Sequence, residues 1–265
     1  MNNIIAIKTN CYKGFSLENA IKGIQKAGFH YLEISASPGN SSGISRFADF
    51  SFLCEARKKF QEAALIPLAL SGHTDIMDMN LFNDFIHNLE LASFFGCKYF
   101  VTSIGKPNPS EDIIRRIEEL YPYLEKYDLE LMIELHGQYR SGRVLHEIVK
   151  HCDDRVHTNY DTGNAIFYGD MDDEMLLEDI ESNIDDIAYM HIKDKAGKRN
   201  EWNFPAIGQG YVPLPSVFNI LEEHNNAATL CVEIEFTPEG PKDINEVDKA
   251  VEDSARYLNS LGFKL

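Results

Sequence analysis

The sequence predicts an α/β fold closed as a (β/α)8 TIM barrel, and three observations predict it. Eight short apolar runs alternate with eight helix-length stretches at a mean period of roughly 33 residues, the length of one β/α unit. Each run is brief and continuous, as parallel strands covered on both faces should be. The last four runs end in carboxylates and imidazoles, and the C-terminal ends of the strands are where such a barrel carries its chemistry. An open doubly wound sheet is the rival fold, but no Gly-x-Gly-x-x-Gly turn follows the first run. The 265 residues are read as one TIM-barrel domain, 1–265.

Residues 4–8 read as a buried strand. A helix follows from Ser16, whose hydroxyl can cap it, to Ala27, with Gly28 as the stop. Leu17, Ile21, Ile24 and Ala27 give it an apolar face. Strand two is placed at 31–34. A helix through Phe52, Ala56, Phe60 and Ala63 leads to strand three at 67–71, and one through Leu81, Phe85, Leu89 and Ala92 ends at Gly96 before strand four at 99–102. Ser110, backed by Glu111 and Asp112, starts a fourth helix that Pro122 breaks. Strand five spans 130–135, with a helix near 143–150 leading to strand six at 156–160. A helix near 173–184, strand seven at 187–192, a short helix at 215–223, strand eight at 230–235 and a helix at 244–261 complete the pattern.

Composition narrows the partners. A net charge of −17 repels nucleic-acid backbones and anionic membrane surfaces, so neither is expected to bind. The apolar run at 4–7 is too short for a signal-peptide core, and no stretch approaches the length of a bilayer crossing. Five scattered cysteines, with no Cys-x-x-Cys, signal neither a disulfide framework nor a zinc knuckle, and a reducing cytoplasm is the expected home.

The run Leu131-Met132-Ile133-Glu134-Leu135-His136-Gly137 delivers a carboxylate and, two residues on, an imidazole to the same face of an extended chain. Tyr160-Asp161-Thr162-Gly163-Asn164, His191-Ile192-Lys193-Asp194 and Cys231-Val232-Glu233-Ile234-Glu235 carry similar groups. Alone, an Asp or Glu at a strand end is commonly a solvated or capping group. Together, Glu134, Asp161, His191 and Glu233 converge from neighbouring staves on the barrel mouth. Three carboxylates and one imidazole are too oxygen-rich for a structural zinc site. They suit one divalent ion, Mn²⁺ first, with Mg²⁺, Co²⁺ or Zn²⁺ as alternatives.

With the Ile207-Gly208-Gln209-Gly210 turn and the segment Gly28-Phe29-His30-Tyr31-Leu32-Glu33, these runs resemble the xylose-isomerase-like TIM-barrel superfamily, and within it the sugar phosphate isomerase/epimerase family, over nearly the whole chain. The resemblance implies a divalent ion held by Glu134, Asp161, His191 and Glu233, with the two glutamates also serving as catalytic acid and base. It implies a small carbohydrate substrate and makes a homo-oligomer plausible. Many relatives carry Glu-Asn-His where this chain has Glu134-Leu135-His136, and Leu135 is expected to point away from the site. Glu235 shares a face with Glu233 and is the alternative ligand.

Such a site suits isomerase or epimerase chemistry. Moving a proton α to a carbonyl needs a base, an acid and an electrophile for the enediolate oxygen. Glu33 resembles a residue that reaches the site from strand two, and Asn164 would hydrogen-bond it from the loop after Asp161. His73 and His136 are candidate contacts to substrate hydroxyls, or structural histidines. Lys193, Lys195, Lys198 and Arg199 form a basic cluster that would hold an anion if the substrate is phosphorylated, or are solvated loop charges. Trp202 and Phe204 would stack on a sugar ring or anchor their loop, and Gly208 and Gly210 would let that loop approach the site. His30, His87, His146, His151, His157 and His224 are read as surface residues. Two alternatives remain open: a metal-dependent dehydratase of the inosose or dehydroshikimate type, and a non-catalytic carbohydrate-binding barrel. A nuclease of the endonuclease IV type is set aside on charge and on the few strand-end histidines.

Overall fold

Strand β1 (Ile5–Lys8) is buried along its whole length because it is flanked on both edges and covered on both faces. It pairs in parallel with β2 (Tyr31–Ser35) on one side and β8 (Thr229–Val232) on the other, and that second pairing closes the sheet. Between them run β3 (Ile66–Ser71), β4 (Tyr99–Thr102), β5 (Glu130–Glu134), β6 (Val156–Asp161) and β7 (Ile187–Ile192) in sequence order, giving a closed barrel of eight parallel strands. This computed structural model describes residues 3–36, 41–72 and 74–265.

The connecting helices begin and end where their capping chemistry dictates. Helix α1 (Leu17–Ala27) opens on a reciprocal Ser16–Asn19 capping box and stops at Gly28, which takes the left-handed φ of 93° that a side chain would resist. Asp49 caps α2 (Phe50–Glu62), and Gly96 ends α3 (Phe82–Phe95). The helix expected to break at Pro122 is two: α4 (Ser110–Glu118) and α5 (Tyr121–Tyr127), with Pro122 in the first turn of the second, where its missing N–H costs nothing. Then come α6 (Gly142–Val149), α7 (Thr162–Gly169), α8 (Asp173–Ser182), α9 (Leu214–Glu223) and α10 (Ile244–Ser260). The described residues therefore hold ten α-helices, not the eight expected. The split of the fourth adds one, and α7, in a stretch read as loop, adds the other. No described helix is long and apolar enough to cross a membrane.

Side chains alternate inward and outward along each strand. Outward residues such as Leu32, Ile133, Ile192 and Val232 pack against the helices in the larger core. Inward, Ala6, Ala69, Tyr99, Val101, Met132, Tyr189 and Cys231 fill the barrel as a separate apolar layer, with the Tyr99 and Tyr189 rings edge to face at 5.4 Å. Two residues further along the chain, the next inward positions are Lys8, Glu134, His191 and Glu233. The site is thus the next layer above a packed plug.

Candidate metal centre

Register explains the convergence. Asp161 is the Cα partner of His191 across β6 and β7, and His191 is the partner of Cys231, so Glu233 lies just beyond. One donor atom from each of Glu134, Asp161, His191 and Glu233 lies within 4.8 Å of the others, and all four side chains are buried. His191 Nδ1 is the hub, at 3.3 Å from Glu233 Oε2, 3.6 Å from Glu134 Oε1 and 3.7 Å from Asp161 Oδ2. Its other nitrogen, Nε2, lies 2.9 Å from Glu33 Oε2. Glu33 therefore orients the imidazole from behind, the arrangement that aims a histidine's free nitrogen at a cation. Irregular register between Leu32 and Glu33 and between Thr158 and Asn159 re-aims strands at this layer. Asn159 fixes the same histidine, accepting from its backbone N–H at 3.0 Å, with Nδ2 3.2 Å from Nδ1.

Two ammonium groups enter the cluster. Lys8 lies 2.7 Å from Glu233 Oε1 and 3.4 Å from Glu33 Oε1, and its β1 position beside Glu33 is set by register. Lys193 lies 2.5 Å from Glu235, 3.3 Å from Glu233 Oε2 and 3.5 Å from Asp161 Oδ2. Burial alone would lower the pKa of both, but the surrounding carboxylates outweigh it and hold both well above the ordinary lysine value. Glu233 shows the reverse: burial pushes its pKa up, yet Lys193, Lys8 and His191 hold it well below the usual carboxylate range. Burial opposes the charged form of His191 as well, and Glu33 leads the groups that nonetheless raise it.

The donor set fits a divalent ion on two grounds. Asp161 Oδ2 is buried, accepts no hydrogen bond and faces the cluster. Four buried carboxylates (Glu33, Glu134, Asp161 and Glu233), with half-buried Glu235 beside them, also outnumber the two buried ammoniums, and a dication offsets that excess negative charge. The three carboxylates and the imidazole alone would leave a site loaded with a dication at minus one; Lys8, Lys193, Glu33 and Glu235 change that sum.

Other expected site residues are placed differently. Leu135 points into the outer core, as expected, and its carbonyl accepts from Asn164 at 2.9 Å. Asn164 stands on α7, not in a loop, and donates to Glu134 Oε1 at 3.1 Å, so it holds a donor in place. His136 does not join the cluster: the strand has ended, and its Nε2 meets the Tyr168 hydroxyl at 3.1 Å. His73 lies outside the described residues. Strand β8 stops at Val232, short of the expected 235, so Glu233 and Glu235 both follow it; Glu235 is half-buried, bonded to Lys193 and Asn10, and outside the four-donor set.

The basic cluster after β7 does not converge into an anion hold. Lys193 is inside the carboxylate cluster, Lys195 donates to the carbonyls of Ala196 and Lys198, and exposed Lys198 and Arg199 pair with Glu201 and Asp170. The amides of Gly208 and Gly210 are taken by Asp194 Oδ2 at 2.8 Å each, while Lys195 and Val212 donate to Oδ1. Trp202 packs edge to face on Phe167 and Phe204, and Lys193 lies over the Phe204 ring. Of the six histidines read as surface residues, His146 and His157 are half-buried, His146 against Asp186 at 2.7 Å.

A cavity of about 510 Å³ opens beside the cluster, lined by Asn10, Lys13, Trp202, Glu235, Thr237 and Glu239 among others. Its floor is stapled where Phe204 and Phe236 exchange backbone hydrogen bonds of 2.9 Å, with Phe236 held at a φ of 57°, a strained conformation of the kind found at functional sites. Lys8, Asn10, Asn159 and Tyr168 were not singled out from sequence. The one available signal was Lys8 at the end of an otherwise apolar strand.

A family model described as xylose isomerase-like TIM barrel matches residues 21–261. Among solved structures, the IolI protein with a bound zinc atom superposes with a TM-score of 0.77 at 20% identity, covering 98% of this chain and 99% of that one. D-allulose 3-epimerase from Methylomonas sp. gives 0.74 at 15%, covering 98% of each. A xylose isomerase domain-containing protein from Salmonella typhimurium gives 0.79 at 14%, again covering 98% of each. At these identities the likeness establishes the fold. A search of curated protein sequences found no match.

Proposed function

Since the chain belongs to the xylose isomerase-like TIM-barrel family, we propose that it is a divalent-metal-dependent isomerase or epimerase of a small unphosphorylated sugar. One observation carries the reading: Glu134, Asp161, His191 and Glu233 meet within 4.8 Å beside an open cavity. Likeness to a zinc-bound protein and to a ketose epimerase supports it. Glu134, Asp161, His191 and Glu233 would hold a divalent ion, Mn²⁺ first, which would supply an electrophile for a substrate carbonyl.

The chain's own residues do the rest. Glu134 and Glu233 approach from β5 and from the end of β8, and one takes the proton α to the carbonyl while the other returns it. Asn164 holds Glu134, Lys8 holds Glu233, and Glu33 holds His191, so the groups are positioned before substrate arrives. Trp202 offers an apolar wall to a sugar's carbon skeleton, and Asn10 and Thr237 offer polar contacts. A phosphate would find two carboxylates, Glu235 and Glu239, against one cation, Lys13, in the cavity lining, and the loop's glycine amides already bonded to Asp194, which favours a neutral substrate. The test is exchange of substrate protons with deuterated water, across a panel of ketoses and their phosphate esters with Mn²⁺ supplied. Exchange into an unphosphorylated ketose, abolished in a folded Glu233→Gln variant, is expected. Undiminished exchange in that variant would remove Glu233 from the mechanism.

A further inference from the structure

Lys8 and Lys193 both contact Glu233, but on different oxygens. Lys8 takes Glu233 Oε1 and Glu33 Oε1, neither of which faces His191 Nδ1. Lys193 takes Glu233 Oε2 and Asp161 Oδ2, the same two oxygens that face His191 Nδ1. An ammonium and a divalent ion cannot share those oxygens at full strength. Lys193 also has partners outside the four donors: Glu235 at 2.5 Å, Asn164 Oδ1 at 3.4 Å, and the ring faces of Phe204 at 4.6 Å and Trp202 at 5.7 Å, of which Glu235 and Trp202 line the cavity. Its aliphatic stem runs past Gly163, where an added Cβ would lie 2.8 Å from Lys193 Cγ, so the stem is guided while its ammonium touches Glu235 and the donor oxygens at once.

We propose that Lys193 is a built-in competitor for the metal position, shared between Glu235 and the Asp161 and Glu233 oxygens in the metal-free site and left to Glu235 alone when a divalent ion takes those oxygens. Glu235 is then the holder of the displaced ammonium, not a fifth ligand. The proposal rests on reading the four-donor set as a metal centre. It gives the metal-free site a second, displaceable compensating charge beside the fixed one of Lys8. In the loaded site it leaves an ammonium at the cavity wall, where it can donate to a substrate oxygen.

Mn²⁺ titration of the chelator-stripped protein, followed by electron paramagnetic resonance, tests this without reference to turnover. Lys193→Met should bind Mn²⁺ at least tenfold more tightly than the natural chain. Glu235→Gln should bind it several-fold more weakly, and that loss should shrink in the Lys193→Met background, because the two residues act as one unit. Lys193→Gln carries the same expectation as Lys193→Met should the latter fail to fold. Equal or weaker binding by a folded Lys193 variant overturns the competition, and a Glu235→Gln effect of the same size in both backgrounds overturns the hand-over. Absence of Mn²⁺ binding by the natural chain overturns the metal-centre reading itself, and the proposal with it.

Discussion

Lys8 is fully enclosed and grips one oxygen each of Glu233 and Glu33, so removing its charge leaves two buried carboxylates short of a partner, Glu233 with Lys193 and His191 and Glu33 with His191. Breaking a buried pair from one side costs about 3–5 kcal/mol. Lys8→Met is therefore expected to lose about that much unfolding free energy in urea, and adding Glu33→Gln should restore part of it; a Lys8→Met variant as stable as the natural chain would show that the pair contributes nothing net. The four donor residues were legible because each ends an apolar run, and alternation fixes which way it points. Lys8 was not, since a lysine at a strand end reads the same whether it is solvated or enclosed. Only closure of β1 against β8 places Glu233 over it. Glu235 was legible as a rival to Glu233, and only the four-donor geometry, in which Glu233 and not Glu235 joins the other three within 4.8 Å, separates them.

At the scale of elements, the segment from 195 to 213 is organised by one carboxylate. Asp194 accepts from the amides of Lys195, Gly208, Gly210 and Val212, and a Cβ on Gly210 would sit 2.2 Å from Asp194 Oδ1. Hydrogen bonds to a charged group are worth about 1.5–3 kcal/mol each. Asp194→Ala should free this segment, seen as rapid limited proteolysis between 195 and 213 and a raised KM for sugar, because Trp202 would no longer be held at the cavity. Resistance to protease equal to that of the natural chain would refute the anchoring role. Helix α7 was missed because Asp161 was read for its chemistry alone. The same carboxylate caps the helix, accepting from the Asn164 amide at 2.8 Å, and an Asp three residues before an Asn is a start signal in its own right. A residue with two duties hid the element behind the site.

For the molecule as a whole, the repeat of short buried strands and amphipathic helices was enough to specify a barrel, since eight parallel strands with covered faces must close or splay. Strand order and the convergence of strands five to eight followed from that. The closing charge balance did not, because it depends on side chains from β1, β2 and β7 that no single motif contains. A cluster with excess negative charge is expected to be stabilised by the ion it fits: at a hundredfold excess over its Kd, Mn²⁺ should add about 2.7 kcal/mol to the unfolding free energy. Glu134→Ala should remove most of that increment, read as loss of the Mn²⁺-dependent rise in Tm. An unchanged rise would place the ion elsewhere. The chain carries a net charge of −17, and its glycine-amide cradle after β7 is already filled by Asp194, an anion that belongs to the protein. Those loop amides are consequently closed to solution anions, and turnover of a neutral ketose should be as fast in sulfate as in chloride at matched ionic strength.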